Sequence, residues 1–175
     1  MRFKGTFVLL LICVAFGCFL YFYEIKGGEQ RDKAKQEENR IWKVDSASVQ
    51  QLDLITPEQH ITAMRSGEKE WKITSPRAVD ADSEEINRIA GSAADISRES
   101  QLESNATDLA RFGLNPAQVS LQFKTKDGKE YKIRFGNNNP TGSSTYGALE
   151  GKSEVFRVAS YVASAFKKKL EDLLA

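Results

Sequence analysis

One uncharged run near the N-terminus constrains this chain more than any other feature. Residues 6–23 contain eighteen consecutive positions without a charged side chain. As a helix the run would rise about 27 Å, close to the hydrocarbon thickness of a bilayer. Arg2 and Lys4 precede it, and aromatic residues that favour the headgroup interface end it. The sequence therefore predicts a single transmembrane helix at residues 6–23.

Two other interpretations of the run compete with an uncleaved signal anchor. A cleavable signal peptide has a shorter apolar core and small residues at its cleavage site, whereas here the apolar run continues to Tyr23. A lipoprotein signal needs a small-residue motif before its cysteine, and Phe16 before Gly17 and Cys18 does not fit that motif. The signal anchor is favoured. Cys13 and Cys18 both lie inside the run, so the sequence gives no disulfide framework or zinc site.

The anchor sets the predicted domain organisation. A short tail at residues 1–5 precedes the anchor at 6–23, a charged stalk follows at 24–40, and the folded domain covers 41–175. The chain has 25 Lys and Arg against 24 Asp and Glu, a balance that argues against a nucleic-acid partner. Flanking positive charges favour a cytoplasmic domain, but a short tail before the anchor is typical of an exported one. An extracytoplasmic domain is favoured.

Alternating and helical patterns predict the elements of the folded domain. Period-two alternation predicts strands at residues 41–44, 49–54, 60–65, 70–74, 119–124, 130–135, 146–149 and 154–158. End signals predict three helices: one begins after Asp82, a short one covers 107–112 and stops at Gly113, and a terminal one covers 160–174. Asp82 and Glu85 fit a capping box at the first helix. The predicted fold class is α+β, an N-terminal transmembrane helix followed by a mainly antiparallel sheet with helices on one face.

Two of the predicted hairpins resemble each other at an offset of 60 residues. Ile61 aligns with Leu121, and Trp71 aligns with Tyr131. An internal repeat is one explanation. The other is that any two amphipathic hairpins match at alternating positions.

The sequence offers little catalytic chemistry. His60 is the only histidine, so motifs with two histidines are excluded and a Ser/His/Asp arrangement would depend on this one residue. The glycine-rich loop at 136–144 lacks the lysine of a phosphate loop. Asp80 and Asp82 invite a calcium interpretation, but helix capping explains them more simply. No catalytic residue, metal ligand or cofactor is predicted.

The run of Lys167, Lys168 and Lys169 has two interpretations. It is predicted to be the solvated face of an amphipathic terminal helix. The alternative is a contact with a membrane or an acidic partner.

The order of several short motifs resembles the bacterial domain of unknown function 4340 family. Its most specific piece is Phe-Gly-Leu-Asn-Pro at residues 112–116, and the next is Trp71 followed by Pro76. Ile-Arg-Phe-Gly at 133–136 and a distal Tyr146 complete the pattern. The motif residues are predicted to be architectural: Trp71, Pro76, Gly113, Leu114 and Pro116.

The resemblance implies a single-pass protein of the bacterial inner membrane, with genes often near gliding-motility-type ABC transport systems, and it carries over no catalytic residues. The leading hypothesis is a non-enzymatic, membrane-anchored accessory or interaction domain with a protein partner in the envelope, an ABC transporter component being one candidate. The alternative is an extracytoplasmic module that binds a glycan or peptide. Its contacts would be Asn137, Asn138, Asn139 and Tyr146.

Overall fold

The computed structural model describes residues 3–21, 34–35 and 37–175, with side chains from residue 7 onward. The chain divides into two units, Met1–Asn39 and Arg40–Ala175. Helix α1 (Phe3–Leu20) belongs to the first unit. Most of the predicted stalk at 24–40 lies outside the described residues. The second unit holds the sheet and the other named helices.

The predicted transmembrane helix at residues 6–23 is wrong. The uncharged run is helical from Thr6 to Leu20, fifteen of its eighteen residues. Residues 22–23, the end of the predicted span, lie outside the described part of the chain. Among the described residues, no helix combines the length and the apolar character that crossing a bilayer requires.

Within the described residues, nine strands form one sheet in which every neighbouring pair is antiparallel. The strand order across the sheet is β4-β3-β2-β1-β6-β7-β8-β9-β5. The strands are β1 (Val49–Ile55), β2 (His60–Arg65), β3 (Trp71–Ser75), β4 (Val79–Asp80), β5 (Ser100–Glu103), β6 (Val119–Thr125), β7 (Glu130–Asn138), β8 (Ser144–Leu149) and β9 (Val155–Ala159).

The main core lies on one face of the sheet, beneath α2 (Ser83–Ala94) and α3 (Ser160–Ala165). Helix α2 has its apolar residues at helical spacing, so one stripe meets the sheet. Alternate residues of the central strands supply the facing layer, with Leu54, Leu121 and Ile133 almost fully buried. Phe135 stacks on Phe166, which follows α3, with ring centroids 5.6 Å apart.

A smaller apolar cluster is separate from the main core. Ala106 and Leu114, from the segment between β5 and β6, pack with Ala148 and Val155. Ala148 and Val155 alternate along their strands with Gly147 and with the core residue Phe156, so they lie on the opposite face of the sheet. The segment at 104–117 therefore covers part of the second face. This segment contains the Phe-Gly-Leu-Asn-Pro motif.

The predicted hairpins at 60–74 and 119–135 lie at β2–β3 and β6–β7. Their registers differ, because Ala63 pairs with Ile73 whereas Phe123, sixty residues after Ala63, pairs with Tyr131. An unaltered 60-residue repeat would pair Phe123 with Ile133. The two hairpins therefore share their alternating sequence pattern but differ in the register of their strand pairing.

The predicted strand at 41–44 is wrong. Ile41 instead donates its backbone N–H to the carbonyl of Ile96, and the Trp42 indole donates to the carbonyl of Ala93. These two bonds hold the segment against the end of α2. The predicted helix at 107–112 is a single 3₁₀ turn, Ala110–Phe112, which ends at Gly113 with φ of 68°.

The predicted terminal helix over 160–174 is also wrong. Helix α3 ends at Ala165, and a 3₁₀ turn follows at Leu170–Leu173. The residues after α3 return to the first edge of the sheet, where Leu174 bridges to Ala81. The Asp82 N–H, at the start of α2, donates to the carbonyl of Leu173.

Candidate functional site

The loop at 137–144 holds three of the four residues predicted to contact a ligand, and Tyr146 follows it in β8. The Asn138 Oδ1 accepts a hydrogen bond of 2.7 Å from the Thr145 hydroxyl. The Asn139 side chain donates to Thr141 and Ser143 and accepts from the Ser144 N–H. Most of the amide groups predicted to meet a ligand are therefore used to shape the loop itself.

Asn137, at the start of that loop, and Tyr146, which follows it, contact the motif segment and its neighbours instead. The Asn137 Oδ1 accepts a bond of 3.0 Å from the Gln118 amide, beside the motif segment. The Tyr146 ring packs edge-on against Phe112, with centroids 5.1 Å apart, in the small cluster of the second face. The structure thus uses Tyr146 to hold the motif segment to the sheet. Binding of a glycan or peptide at this loop stays a prediction.

Two glycines explain why the separate motifs at 112–116 and 133–136 occur together. A Cβ at Gly136 would lie 2.1 Å from the Phe112 carbonyl oxygen, a contact between backbones that no side chain could relieve. A Cβ at Gly113 would lie 2.4 Å from the Asn137 Oδ1, and its φ of 68° favours glycine. The motif segment therefore packs directly on β7. Leu114, with no exposed surface, fixes it from the inside.

Trp71 and Pro76 belong to the other end of the sheet. Trp71 is 2 % exposed, and its indole donates to the Asn87 side chain on α2 at 2.9 Å. The Arg65 guanidinium lies 4.5 Å above the Trp71 ring and donates to three backbone carbonyls, including that of Val49 at 2.7 Å. Burial lowers the pKa of Arg65 from its ordinary value. These contacts tie a loop and a helix to β2 and β3, while Pro76 is exposed after β3.

His60, the one residue on which a catalytic triad would depend, lies on the uncovered face of the sheet. Its Nε2 lies 3.0 Å from the Asp53 Oδ1, and the Thr62 hydroxyl donates to that same oxygen at 2.6 Å. In a hydrolytic triad the carboxylate binds one imidazole nitrogen and the nucleophile faces the other. Here a single nitrogen faces both groups, with Thr62 at 3.4 Å. The arrangement does not activate the hydroxyl.

A groove of about 430 Å³ opens where three distant segments meet. We call it the basic groove, and it is lined by residues 56–59, 116–118 and 167–169. Pro57, Pro116 and Ala117 provide apolar wall, and the three consecutive lysines provide the charge. The turn between β1 and β2 forms one side, and the end of the family-like motif forms another.

A partly buried ion pair holds the lysine segment in place. The Lys168 ammonium lies 2.8 Å from the Glu85 Oε1, and the other oxygen of that carboxylate meets Arg88 at 2.7 Å. The Gln59 amide donates to the Lys168 carbonyl at 3.1 Å. Glu85 was predicted to complete a capping box, but the Asp82 N–H binds Leu173 instead. Asp82 does cap α2, and its carboxylate accepts from two backbone N–H groups.

The charges of the basic groove are unbalanced. Lys168 is paired, but Lys167 and Lys169 are exposed and have no ion-pair partner among the described residues. Glu85 balances Lys168, so Lys167 and Lys169 face the single carboxylate of Glu58, which leaves an excess of one positive charge. The groove therefore presents cationic donors over apolar walls, an arrangement suited to carboxylate or phosphate groups. In the described residues, no cluster of three or more metal-ligating side chains was found.

The family of this chain follows from its second unit. The sequence model of a family described as a domain of unknown function (DUF4340) matches residues 71–175. The chain belongs to this family. The match runs from β3 to Ala175 and includes both motif glycines and the lysine segment. It confirms the family predicted from the motifs, but not the membrane-anchor part of the resemblance, which lies outside the matched residues. No curated protein and no solved structure gives a significant match.

Sequence reasoning missed the basic groove because its parts are far apart in the chain. The only signal was the lysine run, and that was predicted to be the wet face of a helix. Glu85, the acid on α2 that pairs with Lys168, gave no such signal, because its burial is visible only in the structure.

Proposed function

We propose that this DUF4340 protein is a non-enzymatic interaction domain that binds a segment of another protein in the basic groove. The observation that carries the proposal is the groove itself, in which proline and alanine walls lie beside two lysines that have no ion-pair partner in the part of the chain that the structure describes. Its lining comes from loops and ends of elements that the core and the Glu85 ion pair hold in place. Such preorganisation lowers the cost of binding.

The contacts of His60 support the non-enzymatic part of the proposal. The nearby Thr62 hydroxyl donates to Asp53 and not to the imidazole, so that cluster supplies no activated nucleophile.

The setting of the partner is part of the same proposal. The resemblance to the family implied an envelope location and a transport-system component as a candidate partner. Fusion of alkaline phosphatase after Ala175 in a bacterial host tests the location, because the enzyme is active only outside the cytoplasm. Fluorescence from a cytoplasm-only reporter fused at the same position would contradict an extracytoplasmic domain.

Site-specific photocrosslinking tests binding in the groove. A photoreactive residue in place of Ala117, within the full chain in its host, is expected to form a discrete crosslink to a second protein. The matched control places the same residue at Lys152, which is exposed in the turn after β8. The protein identified by mass spectrometry must then bind the purified wild-type chain and not Ala117→Arg. Equal crosslinking at both positions, or equal binding by both chains, would contradict the proposal.

A further inference from the structure

We infer that Asn105 carries an N-linked glycan that covers the open edge of the sheet at β5. Residues 105–107 have the sequence Asn-Ala-Thr. This is an acceptor sequence for N-glycosylation, because a hydroxyl stands two positions after the asparagine and the residue between them is not proline. The inference rests on the proposed extracytoplasmic location, since the modification belongs to exported proteins.

The structure leaves the acceptor side chains accessible. Asn105 and Thr107 are exposed, and within the part of the chain that the structure describes neither side chain makes a hydrogen bond. Between them, Ala106 is 7 % exposed and packs in the small apolar cluster of the second face. Its N–H donates to the Ser153 carbonyl at 2.8 Å. The buried alanine therefore anchors the segment, and the two polar side chains on either side of it face solvent.

An acidic residue precedes the acceptor asparagine. The bacterial form of the acceptor sequence has an acid two positions before the asparagine, and Glu103 holds that position. Its carboxylate pairs with Arg111, and the two side chains are 36 % and 52 % exposed. Exposed ion pairs contribute little to stability. A cationic group of the transferring enzyme can therefore replace Arg111 at this carboxylate.

The transfer needs a donor sugar and an enzyme, both of which the host supplies. The donor is an oligosaccharide joined through a pyrophosphate to a membrane lipid, and the enzyme is an oligosaccharyltransferase. The Asn105 Nδ2 attacks the anomeric carbon of the first sugar, and the bond from that carbon to the pyrophosphate oxygen breaks. Nδ2 gives up one proton, and the lipid pyrophosphate leaves with the electron pair of the broken bond. One C–N bond replaces one C–O bond, so nothing is oxidised or reduced.

The two edges of the sheet differ in how they are covered. At one edge, Leu174 bridges to Ala81, directly after β4. At the other edge, β5 has no strand on its outer side among the described residues, and Leu102 in it is 42 % exposed. An open edge strand offers unpaired backbone groups to another chain. A bulky, hydrated glycan two residues after β5 would obstruct that pairing.

Mass spectrometry of the full chain purified from its own host tests the modification. Trypsin cleaves after Arg98 and Arg111 and releases residues 99–111 as one peptide that contains the acceptor sequence. We expect this peptide to gain the mass of whole sugar residues. Asn105→Gln and Thr107→Ala are expected to abolish the gain, and Glu103→Gln is expected to lower the modified fraction at least tenfold.

The chain contains its own matched control for this measurement. Residues 139–141 have the sequence Asn-Pro-Thr, the same triplet with a proline that prevents transfer. The peptide that contains Asn139 is therefore expected to stay unmodified. An unmodified 99–111 peptide in the wild-type chain, or sugar on Asn139, would overturn the inference.

Sedimentation velocity tests the role of the glycan at the edge. Asn105→Gln, which lacks the glycan, is expected to form larger species than the glycosylated chain at the same concentration. Adding Leu102→Lys places a charge at the exposed position of β5 and is expected to remove those species. Thermal unfolding of both variants verifies folding. If Asn105→Gln forms no larger species, the covering role is rejected.

The inference and the proposed function can fail separately. Active alkaline phosphatase after Ala175, together with an unmodified 99–111 peptide, would keep the extracytoplasmic location and reject the glycan. A glycan on Asn105, together with equal crosslinking from positions 117 and 152, would keep the inference and reject binding in the basic groove.

Discussion

The loop at 137–144 and the basic groove are both polar surfaces, but their side chains are used differently. In the loop, Asn139 makes hydrogen bonds through both ends of its amide. In the groove, Lys167 and Lys169 lie beside apolar walls without ion-pair partners among the described residues. Polar composition therefore does not distinguish a shaped loop from a binding surface. What distinguishes them is the hydrogen-bonding capacity that the side chains still have after folding.

The largest expected effect comes from a residue that supports both regions. In Gly136→Ala the new Cβ would lie 2.1 Å from the Phe112 carbonyl, so the backbone of the motif segment must shift. We expect the free energy of unfolding to fall by about 2–3 kcal/mol, measured by urea denaturation. Gly91→Ala is the control, since its Cβ would meet nothing within 4 Å and helix α2 should gain up to about 1 kcal/mol. Equal effects of the two substitutions would reject the close approach.

The next largest effect is expected from a substitution that acts on the basic groove and not on the loop. Glu85→Gln removes the charge that holds Lys168 and Arg88 while keeping the shape of the side chain. We expect a loss of about 1–3 kcal/mol, together with faster trypsin cleavage at residues 167–169. Glu84→Gln, on the exposed face of the same helix, should leave the cleavage rate unchanged. Unchanged cleavage in both variants would mean that Glu85 does not hold the lysine segment.

A smaller effect tests the loop alone. Asn139→Ala removes hydrogen bonds to Thr141, Ser143 and Ser144, and we expect a loss of about 1 kcal/mol in a thermal unfolding experiment. Crosslinking from position 117 in the basic groove should stay at the wild-type level. A glycan or peptide whose melting shift disappears in Asn138→Ala would instead favour the loop as a ligand site.

The smallest effect lies in neither region and serves as a reference. The Lys129 ammonium and the Thr125 hydroxyl bind the Asp127 carboxylate and lower its pKa from 3.8 to about 2. Because the pKa of Asp127 is lower in the folded state than in the unfolded state, its ionised carboxylate stabilises the folded state at pH values above the unfolded pKa. This stabilisation is lost as the pH falls from about 4 to about 2. Asp127→Asn should therefore narrow the stability difference between pH 7 and pH 2 slightly. A carboxyl titration near pH 4 in NMR would contradict the lowered pKa.

Local patterns predicted the parts of the fold that depend on neighbouring residues. The hairpins around β2–β3 and β6–β7 and the buried stripe of α2 lie where alternation and helical spacing placed them, because each buries one face against the same core. The wrong predictions lie where contacts between residues far apart in the chain determine the local structure. Hydrogen bonds to Ala93 and Ile96 hold residues 41–42 outside any strand. The return of the chain to Ala81, with Lys168 paired to Glu85, leaves no terminal helix after Ala165.

The candidate site was harder to predict for the same physical reason. A polar loop is visible as a run of asparagines, whereas the basic groove needs residues 56–59, 116–118 and 167–169 together. Neither the spacing of the glycines nor the count of charges predicts that those three segments lie together. The N-terminal prediction failed differently: it depended on a count of uncharged residues, and among the described residues no helix has the length and apolar character that the prediction required.

The bridge between Leu174 and Ala81 joins positions about 90 residues apart. During synthesis, one partner of this bridge is therefore made long before the other. A ribosome synthesises β4 and the start of α2 long before it reaches residues 173–174. Until then the edge at Ala81 and the Asp82 N–H lack their partners. Completion of this edge therefore waits until residues 173–174 have been synthesised, and a nascent chain that stops before them leaves these backbone groups without those partners.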